Sequence, residues 1–177
     1  MVMHMSETDM VAFIGDEYKL FCQQAIAKSI QFTFEHEDET LPVWIDRDNF
    51  DKVLMNVLSN AFKFTPAGGR IRITLSHSPH HVRIAIKDSG KGIQEEKLET
   101  IFQRFYQSTT TSNDRNVGTG IGLDLTRSLV ELHYGTITAA NNKTLDGADW
   151  KEGSQFLITL PLGNEHLKPE EMIDAPE

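Results

Sequence analysis

Residues 56–65 read Asn56-Val57-Leu58-Ser59-Asn60-Ala61-Phe62-Lys63-Phe64-Thr65. They end a segment, about Asp48–Phe64, in which Phe50, Val53, Leu54, Val57, Leu58, Ala61 and Phe62 recur at helical spacing. Pro66, Gly68 and Gly69 stop that helix. Asn56, Asn60 and Lys63 fall at i, i+4 and i+7, so one helical face carries two amides and an ammonium. Two amides interrupting an apolar helix, with a cation one turn on, form a donor set suited to a magnesium–phosphate group.

Working outward, Asp9 is placed to cap an earlier helix running to about Lys28, with Val11, Ile14, Tyr18, Phe21, Ala25 and Ile26 on its apolar side. Ile30–Phe34 alternates as a strand, and Val43–Ile45 is a short second one. Beyond the central helix, Arg70–Ser76 and Val82–Asp88 alternate with period two around Ser78-Pro-His-His81, which predicts a hairpin. Gln94–Phe102 is weakly helical, and Ile121–His133 is a helix with Ile121, Leu125, Leu129 and Leu132 on one side. His133 falls at its end, where a cation would complement the helix dipole. Thr136–Ala140 and Ser154–Leu160 read as a closing strand pair. Helices alternating with strand pairs predict an α+β fold, a two-layer α/β sandwich, and the hairpins exclude a purely parallel sheet.

Glycine is concentrated in two clusters. Asp88-Ser-Gly90-Lys91-Gly92-Ile93 follows a strand, and Gly118-Thr119-Gly120-Ile121-Gly122-Leu123 opens a helix. Glycine-rich backbone at a helix start presents free N–H groups to phosphate. No Gly-Lys-Ser/Thr P-loop exists, because Gly92 follows Lys91. The dinucleotide fingerprint would need glycine at Leu123. Residues 107–117 are polar and without period, as a mobile loop would be.

These motifs resemble those of sensor histidine kinases. Asn56 to Thr65 resembles the N box, Asp88 to Ile93 the G1 box, Ile101-Phe102-Gln-Arg104-Phe105-Tyr106 the F box, and Gly118 to Leu123 the G2 box. All four stand in the family's order, and the resemblance spans about residues 9–162. It implies the Bergerat ATP-binding sandwich, a mixed sheet of about five strands with about three helices on one face. It implies that Asp88 accepts a hydrogen bond from the adenine amino group and that Gly90, Gly92 and Ile93 form the turn against the base. Asn60, helped by Asn56, would hold Mg²⁺. Lys63 and Arg104 would face the phosphates of ATP, Phe64, Phe102, Phe105 and Leu123 would line the nucleotide pocket, and 103–118 would be the ATP lid. A phosphoacceptor histidine on a separate dimerisation domain and a downstream response regulator or receiver domain are the implied partners. No histidine of this chain stands in an acceptor motif on a helix: only His36 is followed by Glu, and it lies between two strands.

Composition sets the outer bounds. The 177 residues are 39% apolar and 24% charged, ordinary for a globular chain. Lys and Arg total 17 against 26 Asp and Glu, a net charge of −9, which argues against nucleic acid or an anionic membrane as partner. One cysteine, Cys22, excludes an internal disulfide. No apolar run reaches the roughly 20 residues of a membrane helix, so a cytoplasmic placement is expected. Residues 1–8 read as a leader and 163–177 as an acidic linker or tail with no fold of its own. The rival to a kinase is an ATPase of the gyrase or MutL type, in which a glutamate general base occupies the position of Asn56. A nucleotide-binding interaction module without transfer activity is the other.

Overall fold

The computed structural model describes residues 2–103 and 122–173. Its elements run β1 (Ser6–Asp9), α1 (Met10–Ala27), β2 (Gln31–His36), β3 (Pro42–Ile45), α2 (Arg47–Phe64), β4 (Arg70–His77), β5 (His81–Asp88), α3 (Leu123–Leu132), β6 (Thr136–Asn141) and β7 (Ser154–Pro161). Gln94–Phe102 forms two single 3₁₀ turns, Glu95–Lys97 and Thr100–Phe102, rather than a helix.

A five-stranded sheet has the order β2-β4-β5-β7-β6. β2 pairs with β4 in parallel, and every other neighbour is antiparallel, including the expected β4–β5 hairpin. The alternation in the sequence becomes a two-faced sheet. Ile71, Ile73 and Leu75 of β4, Val82, Ile84 and Ile86 of β5, and Phe156, Ile158 and Leu160 of β7 are all buried. They join Ile14 and Phe21 of α1, Val53, Val57 and Phe62 of α2, and Leu129 and Val130 of α3 in one core. The α+β two-layer sandwich is therefore present, with all three α-helices of the described residues contributing to that core.

Both early helices are capped by aspartate. Asp9 accepts from the N–H of Val11 and also from Leu41, and Asp46 accepts from Asn49. Some apolar positions point away from the core. Ile26 is 79% exposed, whereas Val11 and Tyr18 are half-buried and pack against the core. On α3 the buried stripe is Thr126, Leu129 and Val130, so Leu125 and Leu132 face outward. The stripe is turned by one residue from the leucine spacing, because the Thr126 hydroxyl has a partner inside (below).

His133 corrects a second expectation. It is buried at the end of α3, donating from Nδ1 to the Leu129 carbonyl at 2.7 Å and accepting at Nε2 from the Asp46 N–H at 3.1 Å. Accepting at one nitrogen requires the neutral tautomer. Burial accordingly pushes its pKa down, against the pull of Leu129 and Asp46. Its role at the helix end is a hydrogen bond, not a positive charge.

The described residues near each end of the sequence are folded. Residues 6–9 form β1, antiparallel to β3, so Val43–Ile45 pairs there and not in the main sheet. Met3 and Met5 are 1% and 0% exposed and pack with Leu167, Trp44 and Met172 in a second small core. Met5 donates to the Glu171 carbonyl, and Ile173 donates to that of Met5. The described parts of residues 1–8, expected to be a leader, and of 163–177, expected to be an acidic linker or tail with no fold of its own, pack against each other. Neither segment is long enough to form a core alone, but Met3, Met5, Leu167 and Met172 find apolar cover in one another. Among the described residues no helix is long and apolar enough to cross a membrane.

Candidate functional site

The ends of α2 and β5 meet at a glycine. A Cβ on Gly90 would stand 2.4 Å from the Phe64 carbonyl oxygen, so only glycine lets the turn after β5 lie against the last turn of α2. Gly92 has φ +77, which a glycine adopts without strain. Between these elements sits Asp88, 5% exposed at the end of β5. Its Oδ1 accepts from the Gly90 N–H at 2.8 Å and the Ser154 N–H at 3.4 Å, and Oδ2 accepts from the Ser154 hydroxyl at 3.1 Å. Burial pushes the Asp88 carboxyl up, and the Gly90 and Ser154 bonds pull it back toward the ionised form. Among the described residues no cation is in contact with this buried carboxylate, so its charge is costly to stability.

Asn56 stands two turns before the end of α2. Its Nδ2 donates to the Gly122 carbonyl at 3.3 Å and to the Thr126 hydroxyl, tying the N-terminus of α3 to α2. With the nitrogen engaged, the amide oxygen is the atom left for a cation. Asn60 is half-buried one turn on, and Lys63 is exposed one turn further. The Lys63 and Lys91 ammoniums lie 4.5 and 4.9 Å from the centre of the Phe64 ring. Two cations, Lys63 and Lys91, thus border the point where α2 meets the glycine turn.

Of the residues singled out in the sequence, Asn56 is linked to Gly122, and Phe64, Gly90 and Asp88 are linked to one another, with Asn60 and Lys63 on the helix face of Asn56. Ile93 is fixed beside them: its N–H donates to Asn141 Oδ1 at 2.8 Å and its carbonyl accepts from Asn141 Nδ2 at 2.6 Å. Leu123 packs against the core at the start of α3. Phe102 is not in that group. It is buried edge-on to Phe156 at 6.0 Å and, with Leu98 and Arg127, borders a separate cavity of about 150 Å³. Arg104, Phe105, Gly118, Thr119, Gly120 and Ile121 lie outside the described residues, as does the proposed lid apart from Gln103.

Sequence reasoning missed Thr126, Asn141, Asn142 and Trp150, and saw Ser154 only as the start of a closing strand. Thr126 had a signal, a polar residue on the inward stripe of a helix. The Asn141–Asn142 pair at a strand end had a weak one.

Comparison with known proteins decides the family. Residues 45–164 match the family of histidine kinase-, DNA gyrase B- and HSP90-like ATPases. The chain belongs to that ATPase family. Its relatives place it in the histidine kinase branch. It is 34% identical over 171 residues to histidine kinase P4 of Formosa agariphila, covering 95% of this chain. It is 42% identical over 119 residues to the sensor histidine kinase TmoS of Ectopseudomonas mendocina, covering 67%. The chain spans 12% of the length of each of these relatives. A solved structure of the catalytic domain of histidine kinase ThkA superposes with a TM-score of 0.75 at 30% identity, covering 90% of this chain and 98% of that one. The fold is thus the ATP-binding sandwich of histidine kinase catalytic domains, and ATP binding is the family's common property.

Proposed function

We propose that this chain is the catalytic domain of a two-component sensor histidine kinase, transferring the γ-phosphate of Mg·ATP to a histidine on a separate dimerisation domain. The observation that carries the reading is the site at the end of β5. A buried, hydrogen-bonded Asp88 carboxylate faces a glycine turn that abuts the asparagine-bearing end of α2. An ionised carboxylate accepts from the 6-amino group of adenine and repels the 6-oxo group of guanine, so ATP is favoured over GTP.

The donor set fits a hard cation. Asn60 and Asn56 would hold Mg²⁺ through amide oxygens, and the ion would supply charge neutralisation on the phosphates. Lys63 would add a point charge there, and Arg104 a second. Positioning and electrostatics suffice for phosphoryl transfer, since the nucleophile comes from the partner. Asn56 also weighs against an ATPase: its nitrogen is engaged with Gly122 and Thr126, and an amide cannot take the proton of attacking water. Intact motifs weigh against a binding module that has lost transfer chemistry.

A response regulator is the expected downstream partner, and a structure of histidine kinase ThkA in complex with response regulator TrrA is among the related ones, 29% identical to this chain. We place the domain on the cytoplasmic side of a membrane-bound sensor, without membrane contact of its own. Incubating the chain with Mg·ATP and a histidine-bearing dimerisation domain tests the assignment. Acid-labile phosphate on that partner is the expected result; rapid release of free phosphate without labelling would favour the ATPase.

A further inference from the structure

The β6–β7 connection, residues 142–153, belongs to none of the sequence motifs, yet it closes on the back of Asp88. The β5–β7 ladder runs from His81↔Pro161 to Lys87↔Gln155. One residue further, the Asp88 carbonyl is taken by side chains. Asn142 Nδ2 donates to it at 2.8 Å, and the Trp150 indole N–H donates to it at 3.2 Å. Both carbonyl lone pairs are thereby used. The same Asn142 nitrogen also bonds the Glu152 carbonyl at 2.7 Å, which closes the loop on itself. Gly153 sits against the strand end with φ +81; a Cβ there would stand 2.0 Å from the Asp88 carbonyl oxygen.

Trp150 is itself held from the outer face of the sheet. Arg70 and Arg72 of β4 and Lys87 of β5 alternate with the buried residues of those strands, so they project away from the helices. Their cationic groups lie 4.7, 4.8 and 5.0 Å from the Trp150 ring centre. Asp149 binds Arg72 at 2.6 Å and Lys87 at 3.3 Å, and pins the residue before the indole to the same strands. The ring is buried although it stands on the sheet face without helices.

We propose that Trp150 is a positioning residue for base recognition: from the outer face its indole N–H, with Asn142, fixes the Asp88 peptide and so fixes where the Asp88 carboxylate meets the 6-amino group of the nucleotide base. This rests on reading Asp88 as the base-recognising residue. On the inner side Gly90 and Ser154 orient the carboxylate; on the outer side Trp150 and Asn142 orient the backbone from which it springs. The N–H of the same peptide, that of Ser89, donates to the Arg70 carbonyl at 3.0 Å; with its carbonyl released the peptide can tilt about that bond, and the carboxylate would tilt with it. The residue contacts no ligand and acts only through Asp88.

Trp150→Phe keeps a ring for the three cations and removes the donor. The test compares ADP with inosine diphosphate, which carries an oxo group in place of the 6-amino group, by calorimetry on the full chain. Wild type should prefer ADP. In Trp150→Phe the ADP Kd should rise about fivefold to tenfold, while the inosine diphosphate Kd changes far less, so the preference shrinks. A general loosening of the fold would weaken both ligands alike, and that result would overturn the proposal. Retained preference with unchanged ADP affinity would also overturn it while leaving the Asp88 reading intact. No preference in wild type would remove the Asp88 reading and the proposal together. Should urea melts show Trp150→Phe unfolded, benzothienylalanine at position 150, which replaces the N–H by sulfur in the same ring shape, is measured in its place. Trp44→Phe serves as the control and should leave both Kd values unchanged.

Discussion

Asp88→Asn separates recognition from stability at one position. The two side chains have the same shape, and the contacts determine how the amide must sit. Asp88 Oδ1 accepts from two backbone N–H groups, Gly90 at 2.8 Å and Ser154 at 3.4 Å, whose polarity cannot be reversed. The amide oxygen must therefore stay there, and the amide nitrogen takes the place of Oδ2. The Ser154 hydroxyl, 3.1 Å away, can turn from donor to acceptor. The fold keeps its hydrogen bonds, but the group offered to the adenine amino function becomes a donor. A buried donor left facing a donor costs about 1–3 kcal/mol, so the Kd for ADP should rise about 5-fold to 150-fold. Apo stability should move the other way. The folded-state pKa of Asp88 lies above its unfolded value, so the folded protein holds this proton more tightly. That stabilisation is present below the unfolded pKa and is lost as pH rises through the folded one. At neutral pH the buried charge is a net cost, which the neutral amide removes. Calorimetry with ADP and thermal melts of the apo chain read the two effects separately. Unchanged ADP affinity, or an apo variant less stable than wild type at pH 7, would refute the reasoning.

Other outcomes follow from the same geometry. The chain alone should bind Mg·ATP, release phosphate far more slowly than about 1 s⁻¹ and acquire no label; with a dimerisation domain, labelling of that partner should appear and vanish in Asn60→Ala. Labelled-ATP gels and phosphate release decide this, and a phosphohistidine on this chain would refute it. His133 has a folded-state pKa below its ordinary value of about 6.5, so the unfolded chain takes up the proton first as pH falls. Urea melts should show stability flat above pH 7 and declining below about 6.5, with less decline in His133→Gln; equal slopes would count against a neutral His133 in the fold. Met5→Ala, at a fully buried position, should cost about 2–5 kcal/mol, and a loss under 0.5 kcal/mol would mean that the N-terminal segment does not pack as described.

Much of this molecule was legible because its information is local. Periodicity marked α2 and the β4–β5 hairpin, since a helix face and a sheet face are written at fixed spacings along one segment. Asn56, Asn60 and Lys63 share a face by arithmetic alone. Asp88, Gly90 and Gly92 stand within one turn of chain, and the glycine at 90 is required by a neighbour only the fold could name, the Phe64 carbonyl. Other features needed three dimensions. Asn142, Trp150 and Ser154 reach Asp88 from 54 to 66 residues away. Single hydrogen bonds to a distant residue leave no period in the sequence, because nothing on the donor's own segment depends on them. Met3 and Met5 looked like a leader for the same reason: their apolar partners, Leu167 and Met172, lie at the other end of the chain. The sequence determined the three helices and the strands of the main sheet, and which chemical groups stand together on each; the tertiary structure decided that residues 6–9 form a strand and pair with β3, that Met3 and Met5 pack with Leu167 and Met172, and what braces Asp88, because burial and hydrogen bonding across long loops are settled only once the chain has closed on itself.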